Sequence, residues 1–404
     1  MSAAGCMATP TEQSVDRERL LGRLLEQLDR ELPEAVELRH RLHRNPELAH
    51  QERATLELVA ERLPVPCRTV AGTGGAAIVG AADGAPVAVR AELDGLPLRE
   101  ETGSEFTATG ETMHACGHDV HMAGLVALAR AAHSLGDELP VGLLALLQPS
   151  EEAYPSGAQQ LARGELAQLA PRAVVAAHVH PELAWGTVGL AEGVVNASCD
   201  AVEITVRGRP SHGAYPHLGR DPILALAEVV VSLHAQVGRR IDPIGAAVLT
   251  VGTIEGGSAE NLIPPQARAR AALRAHDPAH RDLLRELVLE VSEGVAAAHG
   301  CTASVDITAG EPQLENDAAI VIRARELLEV SGLSPAARWS SCGSDDFAFF
   351  GEVAPIAMAF VGLDGAEGFR VRPLHHPELL VPDAAVGAVA RAQAVLYCAA
   401  ALPA

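Results

Sequence analysis

The sequence has no C-x-x-C pair and no regularly spaced, even-numbered set of cysteines. Its seven cysteines are scattered over 404 residues, at positions 6, 67, 116, 199, 301, 342 and 398. This pattern differs from the disulfide framework of a small secreted protein. The first residues, MSAAGCMATPTEQ, also lack the basic segment and the following apolar segment of a signal peptide. The sequence therefore predicts a protein of the reducing cytoplasm.

Long apolar runs and an excess of basic residues are missing as well. No run of about 18 uninterrupted apolar residues is present, so the sequence predicts no membrane span. The alanine-rich segment 384–401 carries Arg391 and Gln393 and is expected to form a closing amphipathic helix. Nucleic-acid binding needs clustered Lys and Arg, and the net charge of −21 argues against such a partner.

Length and hydrophobic patterning predict the fold class. A chain of 404 residues is expected to form about two domains, and a hydrophobic content of 48% is typical of globular proteins. Candidates for buried strands lie at 76–81, 86–93, 141–149 and 173–179, and helical patterns fall between them. This alternation predicts an α/β fold in which a mostly parallel sheet is flanked by helices.

The middle of the chain has a different pattern. Its predicted elements are a strand at 201–208, a helix at 221–240, strands at 246–257 and 266–275, a helix at 278–299 and a strand at 301–309. The order β-α-β-β-α-β is the ferredoxin-like arrangement. We therefore expect an inserted α+β domain at 198–311, which serves as a lid or dimerisation domain. Residues 1–197 and 312–404 would form the catalytic domain.

Four segments carry residue types that bind zinc-like cations. Thiolate, imidazole and carboxylate groups are the ligands that these cations accept. The segments are MHACGHDVH (113–121), LLQPSEEA (146–153), AAHVHP (176–181) and LHHPELL (374–380). Each follows or ends an apolar run, and strand-end loops assemble active sites in α/β folds. Together the four segments favour a metal site.

The first segment also has an ordinary structural interpretation. Cys116 and His118 are two residues apart, beside a glycine that allows a tight turn. Asp119 is well placed to cap the following helix, whose positive end would favour the Cys116 thiolate. A buried cysteine beside surface histidines would have the same sequence. This segment alone therefore leaves both a metal site and an ordinary structural role open.

The other segments are ambiguous for similar reasons. Glu151 and Glu152 follow an apolar strand, and adjacent strand residues point to opposite sides. One carboxylate would then bind metal while the other acts as a general base, although most such pairs are acidic loops. His178 alone is more often a hydrogen-bonded core residue, and His375-His376 alone is more often an exposed loop pair.

The chain resembles the amidohydrolase branch of the carboxypeptidase-G-like and aminoacylase-like metallopeptidases. That branch includes N-acyl-amino-acid amidohydrolases, hippurate hydrolases and indole-acetyl-amino-acid hydrolases. The resemblance spans nearly the whole chain in one order. It rests on LRHRLHRNPELAHQE, AELDGLPLREETG, MHACGHDVH, LLQPSEEA, AAHVHP, RPSHGAYPHLGRDPI, GTIEGGSAENLIP, CGSDDFAFF and LHHPE.

The resemblance implies roles for individual residues of the catalytic domain. Two divalent metal ions are implied, with zinc expected ahead of manganese, cobalt or nickel, and with the thiolate shared between the ions. Glu151 matches the family's general base. The implied metal ligands are Cys116, His118, Glu152, His178 and His375.

It implies roles in the inserted domain and the loop after it as well. His212 matches a histidine that reaches the site across a dimer interface and stabilises the developing oxyanion. Asn261 matches an asparagine near the substrate carboxylate. Gly343 and Ser344 match a loop that faces the substrate.

The chain departs from the family pattern near the expected site. The family usually has ADMDALP where this chain has AELDGLP, so Glu92 replaces an aspartate while Asp94 is retained. Asp94 and Asp119 are expected to support the ligands from outside the site, Asp119 by orienting His118. His121 and His180 are two further candidates for such a supporting role, and His375 is preferred to His376 as a ligand.

The expected function is hydrolysis of the amide bond of an N-acyl or aryl-acyl amino acid by a homodimeric enzyme. A dipeptidase or carboxypeptidase of the same fold is the first alternative. A non-catalytic metal-binding scaffold is the second, and the presence of Glu151 beside a full ligand set argues against it.

Overall fold

The computed structural model describes residues 12–80, 84–337 and 339–402. Its helices are α1 (Glu12–Arg44), α2 (Arg53–Ala60), α3 (His118–Leu135), α4 (Gly157–Arg163), α5 (Glu165–Leu169), α6 (Pro222–Arg240), α7 (Pro278–Ala298), α8 (Ala318–Leu327) and α9 (Ala384–Ala401). Its strands are β1 (Arg68–Val70), β2 (Gly74–Val79), β3 (Val87–Glu92), β4 (Leu143–Gln148), β5 (Ala173–Ala184), β6 (Thr187–Gly189), β7 (Gly193–Asn196), β8 (Ser198–Arg207), β9 (Ser211–His212), β10 (Ala247–Gly256), β11 (Leu262–Ile263), β12 (Gln266–Ala275), β13 (Thr302–Ala309), β14 (Leu314–Asn316), β15 (Ser334–Pro335) and β16 (Ile356–Asp364).

The chain divides into two compact units. The second unit comprises Val194–Leu314 together with Ser340–Ala348, and the remaining described residues form the first. Each unit has its own hydrophobic core. The predicted domain boundaries, and the role of the inserted part as a lid or dimerisation domain, stay predictions.

The first unit contains an eight-stranded sheet in the order β1-β2-β4-β3-β5-β16-β6-β15. The four central strands, β4, β3, β5 and β16, run parallel. β1 pairs antiparallel with β2, β2 with β4, and β6 with β16. The α/β fold class is thus confirmed, and the sheet that was expected to be mostly parallel is a mixed sheet with a parallel centre.

The parallel centre of the sheet explains where the polar segments meet. Carboxyl ends of neighbouring parallel strands share one edge of a sheet. β3 ends at Glu92 and leads to Asp94, while β4 ends at Gln148 and leads to the Glu151-Glu152 pair. The sequence segments that looked unrelated therefore converge because their strands are neighbours.

Helix α9 lies in the core of the first unit. It packs against α1, α3 and α8 and against β3, β5 and β16. It is long and apolar enough to cross a membrane by length and composition, but 89% of that stretch is buried inside the protein. The expected helix is present, but the prediction that it is amphipathic was wrong, because neighbouring elements cover α9 on nearly all sides.

The second unit has the ferredoxin-like arrangement. Its four-stranded sheet has the order β10-β12-β8-β13, and all of its pairs are antiparallel. α6 and α7 pack against each other and against this sheet. Both helices begin at a proline, and Asp221 and Asp277 accept the first backbone N–H groups. This part of the fold prediction is confirmed.

Some predicted elements differ from those found. The predicted strand 76–81 is β2, and its predicted last residue, Ala81, lies outside the described residues. A predicted helix at 156–169 is split into α4 and α5 at Gly164. No disulfide joins the six cysteines that the structure describes, and Cys6 lies outside them.

Candidate metal centre

The site is built around a glycine turn at the start of α3. Gly117 has φ +84°, and a Cβ atom there would lie 2.6 Å from Cγ2 of Val179. Only glycine fits this left-handed, crowded position. The turn places Cys116 and His118 on either side of Gly117, at the N-terminus of α3, which is the positive end of the helix dipole.

Asp119 does not cap this helix. Gly117 occupies the N-cap position, and no side chain accepts a capping hydrogen bond there. The Asp119 carboxylate instead accepts hydrogen bonds from Arg39 at 2.7 Å and from His43 at 2.9 Å. The predicted cap was therefore wrong, because two buried cations of α1 bind the carboxylate.

The imidazole of His118 is held by a backbone carbonyl. Its Nδ1 donates to the carbonyl oxygen of Asp94 at 2.8 Å. Nε2 is buried and makes no hydrogen bond to the described residues. Burial alone would lower the pKa of His118, but nearby carboxylates, Glu92 and Asp94 above all, raise it. A buried ring nitrogen that lacks a hydrogen-bond partner is what a metal ligand presents.

Cys116, Glu152 and His375 form the second part of the site. One ligand atom from each lies within 4.8 Å of the others. His375 Nε2 is 3.2 Å from Oε1 of Glu152, and the backbone N–H of His375 donates to the carbonyl of Ala115 at 2.8 Å. His376 lies differently, since its Nδ1 accepts the N–H of Glu378.

His178 joins this cluster from strand β5. Its Nε2 lies 3.4 Å from Sγ of Cys116, and its Nδ1 donates to the carbonyl of Val179 at 2.7 Å. Burial holds the pKa of His178 well below its usual range. The ring is therefore neutral, which is the form that binds metal.

Glu151 and Glu152 lie on the turn after β4. Oε2 of Glu151 is 3.8 Å from Nε2 of His118, and Oε1 of Glu152 is 4.0 Å from the same nitrogen. The two side chains are 14% and 11% exposed. Asp94 supports the turn, because its Oδ2 accepts the backbone N–H of Glu152 at 2.9 Å.

The donor set fits divalent metal ions. One thiol, three imidazoles and two carboxylates converge on one small region, and Nε2 of His118, which is buried, makes no hydrogen bond to the described residues. A soft thiolate with imidazoles and carboxylates suits zinc and its neighbours in the first transition row. The structure brings together the five predicted ligands and Glu151; their roles stay a proposal.

A buried network lies behind the ligands; the sequence offered His121 as a candidate for a supporting role but not the contacts that follow. Glu92 binds Arg90 through one carboxylate oxygen and accepts from Nδ1 of His121 through the other, at 2.9 Å. Nε2 of His121 accepts the N–H of Val179 at 3.0 Å. Both ring nitrogens of His121 are thus engaged, which argues against a role as a ligand. The network reaches the backbone beside His178 instead.

Two predicted substrate residues lie together in the second unit. His212 is on β9, which pairs with β11 beside Asn261. The N–H of Gly213 donates to the carbonyl of Asn261 at 2.7 Å. Nδ1 of His212 accepts the N–H of Ala214 at 3.1 Å, and the ring is exposed. This hydrogen bond places the ring proton of the neutral imidazole on Nε2.

The predicted substrate loop also belongs to the second unit. The N–H of Gly343 donates to Oγ of Ser341, and the carbonyl of Gly343 accepts the N–H of Ala197. Arg274 donates to the carbonyl of Cys342 at 3.0 Å and to Oγ of Ser344 at 3.3 Å. The loop around Gly343 and Ser344 is therefore held by hydrogen bonds to residues of its own unit.

Comparison with known proteins matches most of the chain. Residues 88–397 match the family described as peptidase family M20/M25/M40. The N-acetyl-L-cysteine deacetylase of Bacillus subtilis (strain 168) is 33% identical over 357 residues, which are 87% of this chain and 84% of that relative. The N-acetyldiaminopimelate deacetylase of Bacillus licheniformis is 31% identical over 375 residues, 91% of this chain and 98% of the relative.

A solved structure from the same family also matches this chain. The YXEP protein of Bacillus subtilis, described as a dinuclear metal binding peptidase from the M20 family, matches with a TM-score of 0.80 at 27% sequence identity. The match covers 92% of this chain and 98% of that protein.

Proposed function

The chain belongs to peptidase family M20/M25/M40, and from this membership we propose that its substrates are N-acetylated or similar short-acyl amino acids. It is a metal-dependent amidohydrolase that cleaves the amide of an N-acyl amino acid to a carboxylic acid and a free amino acid. Two of its relatives are named deacetylases of N-acetyl-L-cysteine and N-acetyldiaminopimelate. Those names favour an acetyl group over a bulky aryl-acyl group.

The metal centre of this family member takes two divalent ions. We assign one ion to Cys116, Glu152 and His375, and the other to His118 and His178 with the thiolate shared. The thiolate and the three imidazoles favour zinc over manganese, cobalt or nickel.

Glu151 is the group that we assign to proton transfer. Bound divalent ions would polarise the amide carbonyl and lower the pKa of a water molecule toward neutrality. Glu151 accepts the proton of the attacking water and returns it to the leaving nitrogen, which completes the proton balance of amide hydrolysis. Its carboxylate is partly exposed and lies 3.8 Å from Nε2 of His118, so it is accessible to solvent beside the ligands.

The second unit supplies the remaining proposed roles. His212 presents Nε2–H as a donor, which suits an oxyanion in the transition state and is worth about 3 kcal/mol for one such donor. We assign Asn261 to the substrate carboxylate and the backbone around Gly343 and Ser344 to the substrate loop. These assignments rest on the family resemblance and on the local contacts described above.

We also propose that the enzyme is a cytoplasmic homodimer. β10 and β13 are the edge strands of the four-stranded sheet of the second unit. An edge strand offers backbone groups to a second copy, and twofold pairing of equivalent edges is a common way to form a dimer. Analytical ultracentrifugation would give twice the chain mass if this proposal is right.

The observation that carries the proposed function is the convergence of a complete ligand set beside Glu151. Cys116, Glu152 and His375 place their ligand atoms within 4.8 Å of one another. A dipeptidase would need a site for a free amino group, and no described feature is assigned to one. A scaffold would have no use for Glu151.

The test is the release of free amino acid from a substrate panel. N-acetyl, N-benzoyl and indole-acetyl amino acids and alanyl dipeptides would be assayed with protein stripped by a chelator and reloaded with zinc or manganese. We expect metal-dependent cleavage, fastest with N-acetyl substrates. Cleavage of dipeptides alone would favour the peptidase alternative. No cleavage by protein with two bound metal ions would contradict the proposal.

A further inference from the structure

The residue before Glu151 has an unusual backbone conformation. Ser150 has φ +51°, a left-handed value that residues other than glycine rarely adopt. Such a conformation persists only where the surrounding structure holds it. Because Ser150 immediately precedes Glu151, whatever holds Ser150 also helps to set the direction of the Glu151 side chain.

The carboxylate of Glu52 holds the backbone N–H of Ser150, while His50 contacts the Ser150 hydroxyl, with its backbone N–H and its Nδ1 each 2.9 Å from Oγ. Glu52 is fully buried, and its Oε1 accepts the backbone N–H of Ser150 at 2.7 Å and the Ser150 hydroxyl at 3.3 Å. Its Oε2 accepts the hydroxyl of Thr73 at 2.6 Å. Both oxygens are thus engaged, and the carboxylate cannot rotate without breaking one of these bonds.

The rest of the turn leaves little other freedom. A Cβ atom on Gly74 would lie 2.6 Å from Cδ of Pro149, and one on Gly157 would lie 1.7 Å from the carbonyl oxygen of Pro149. The N–H of Gly157 donates to the carbonyl of Ser150 at 3.0 Å. Gly74 therefore leaves room for the ring of Pro149, and Gly157 leaves room for its backbone carbonyl.

A second carboxylate acts further along the same turn. Asp94 accepts the N–H groups of Glu151 and Glu152, the latter at 2.9 Å. Glu52 and Asp94 thus bind three successive backbone N–H groups, with Glu52 on the side of Ser150 and Asp94 on the side of Glu152. Asp94 therefore supports the backbone of the base and of the ligand, and Glu52 supports the residue that leads into the base.

We propose that Glu52 is a positioning residue for the general base, which acts by holding Ser150 in its left-handed conformation so that Glu151 faces the reaction site. The proposal rests on the proposed function of Glu151. It assigns to Glu52, a residue about 100 positions away in sequence, a role in the rate of the chemical step rather than in metal binding.

Glu52→Ala and Glu52→Gln test the proposal on metal-loaded, full-length protein. In Glu52→Ala we expect kcat to fall by about 100-fold, the usual effect of a small displacement of a reacting group, with KM and metal content nearly unchanged. In Glu52→Gln the amide oxygen still accepts the Ser150 N–H, so kcat should fall by about fivefold or less. A normal kcat in metal-loaded Glu52→Ala would overturn the proposal.

A second substitution separates positioning from a general loss of stability. Glycine adopts a left-handed conformation without strain, so Ser150→Gly in the Glu52→Ala background should recover about tenfold in kcat. A purely structural role for Glu52 would give no such recovery in kcat, and that result would also overturn the proposal.

Glu47→Ala is the matched control from the same segment. Glu47 accepts the N–H and the hydroxyl of Thr55 at the start of α2 and should affect Tm but not kcat. Crystal structures of Glu52→Ala add a readout independent of activity, with φ of residue 150 expected to leave the positive range. If the wild type cleaved no acyl amino acid, the proposed function would fail, while φ of residue 150 would still decide the positioning.

Discussion

Adjacent carboxylates have different tasks when their neighbours differ. Glu152 lies 3.2 Å from His375, and its backbone is bound by Asp94. Glu151 is the preceding residue, and its carboxylate lies 3.8 Å from Nε2 of His118. Both carboxylates converge on His118, and Glu152 also reaches Cys116 and His375.

Exchange of each carboxylate for its amide therefore gives two distinct variants. Glu151→Gln should lower kcat by at least about 100-fold, the value of a general base, and leave metal content nearly unchanged. Glu152→Gln should lose metal at equal protein concentration, because a ligand oxygen becomes an amide. Kinetics with metal analysis by mass spectrometry measure both. Loss of metal in Glu151→Gln instead would show that the two roles are reversed.

The residues of the site differ in how well the sequence predicted them. Cys116 and His118 lie in a segment whose residue types already indicate metal binding. Glu52 is one acidic residue among many, and its function depends on a contact with Ser150 that no local pattern encodes. Glu92 was noticed only as a departure from the family, and its bond to His121 needed the neighbouring position of β3 and α3.

At the scale of elements, α1 is joined to α3 by buried charges. Asp119 of α3 accepts hydrogen bonds from Arg39 and His43 of α1, and Nε2 of His43 lies 3.1 Å from Glu100. Burial opposes the charge on His43, but Asp119 and Glu100 outweigh it and raise the pKa of His43 to about 9. The first turn of α3, which carries His118, is thus anchored by a charged histidine.

This anchor makes stability depend on pH. A raised pKa in the folded state means that the contribution is fully present below about pH 6.5, the unfolded value, and is lost as pH rises through about 9. Its size is on the order of 3 kcal/mol. His43→Gln should therefore lower Tm most near pH 6, and this difference from the wild type should shrink toward pH 10.

Thermal unfolding in the presence of a chelator measures this difference. His133→Gln changes an exposed histidine in the last turn of α3; it is the control and should show no such pH dependence. A deficit in Tm of His43→Gln that stayed constant from pH 6 to pH 10 would show that the charge of His43 does not stabilise the fold.

Regular elements with clear periodicity were predicted well, and elements defined by tertiary contacts were not. The six elements of the second unit match their predicted order because each has a distinct hydrophobic period. β16 was missed, although it is the buried strand beside β5 that completes the parallel centre. α9 was predicted as amphipathic because Arg391 and Gln393 interrupt its apolar run, yet Gln393 is buried and donates to the carbonyl of His121.

For the whole molecule, the distribution of functional groups over two units has a thermodynamic consequence. All proposed metal ligands belong to the first unit, whose core is separate from that of the second. A ligand that binds only the folded state stabilises it by about 2.7 kcal/mol at 100 times its dissociation constant. The residues proposed for the oxyanion and the substrate, His212, Asn261, Gly343 and Ser344, belong to the second unit, which contains none of the proposed metal ligands.

Metal loading should therefore protect the first unit selectively. Hydrogen exchange followed by mass spectrometry should show slower exchange on addition of zinc in peptides from α3, β4 and β5, and little change in β8 and β12. His375→Ala is the control, since the loss of one ligand should reduce the protection without changing the second unit. Protection confined to β8 and β12 would place the metal in the second unit and contradict the assignment of the site. Selective protection would show that metal binding and folding are coupled where the ligands lie, because the ions hold together strands and loops that are distant in sequence.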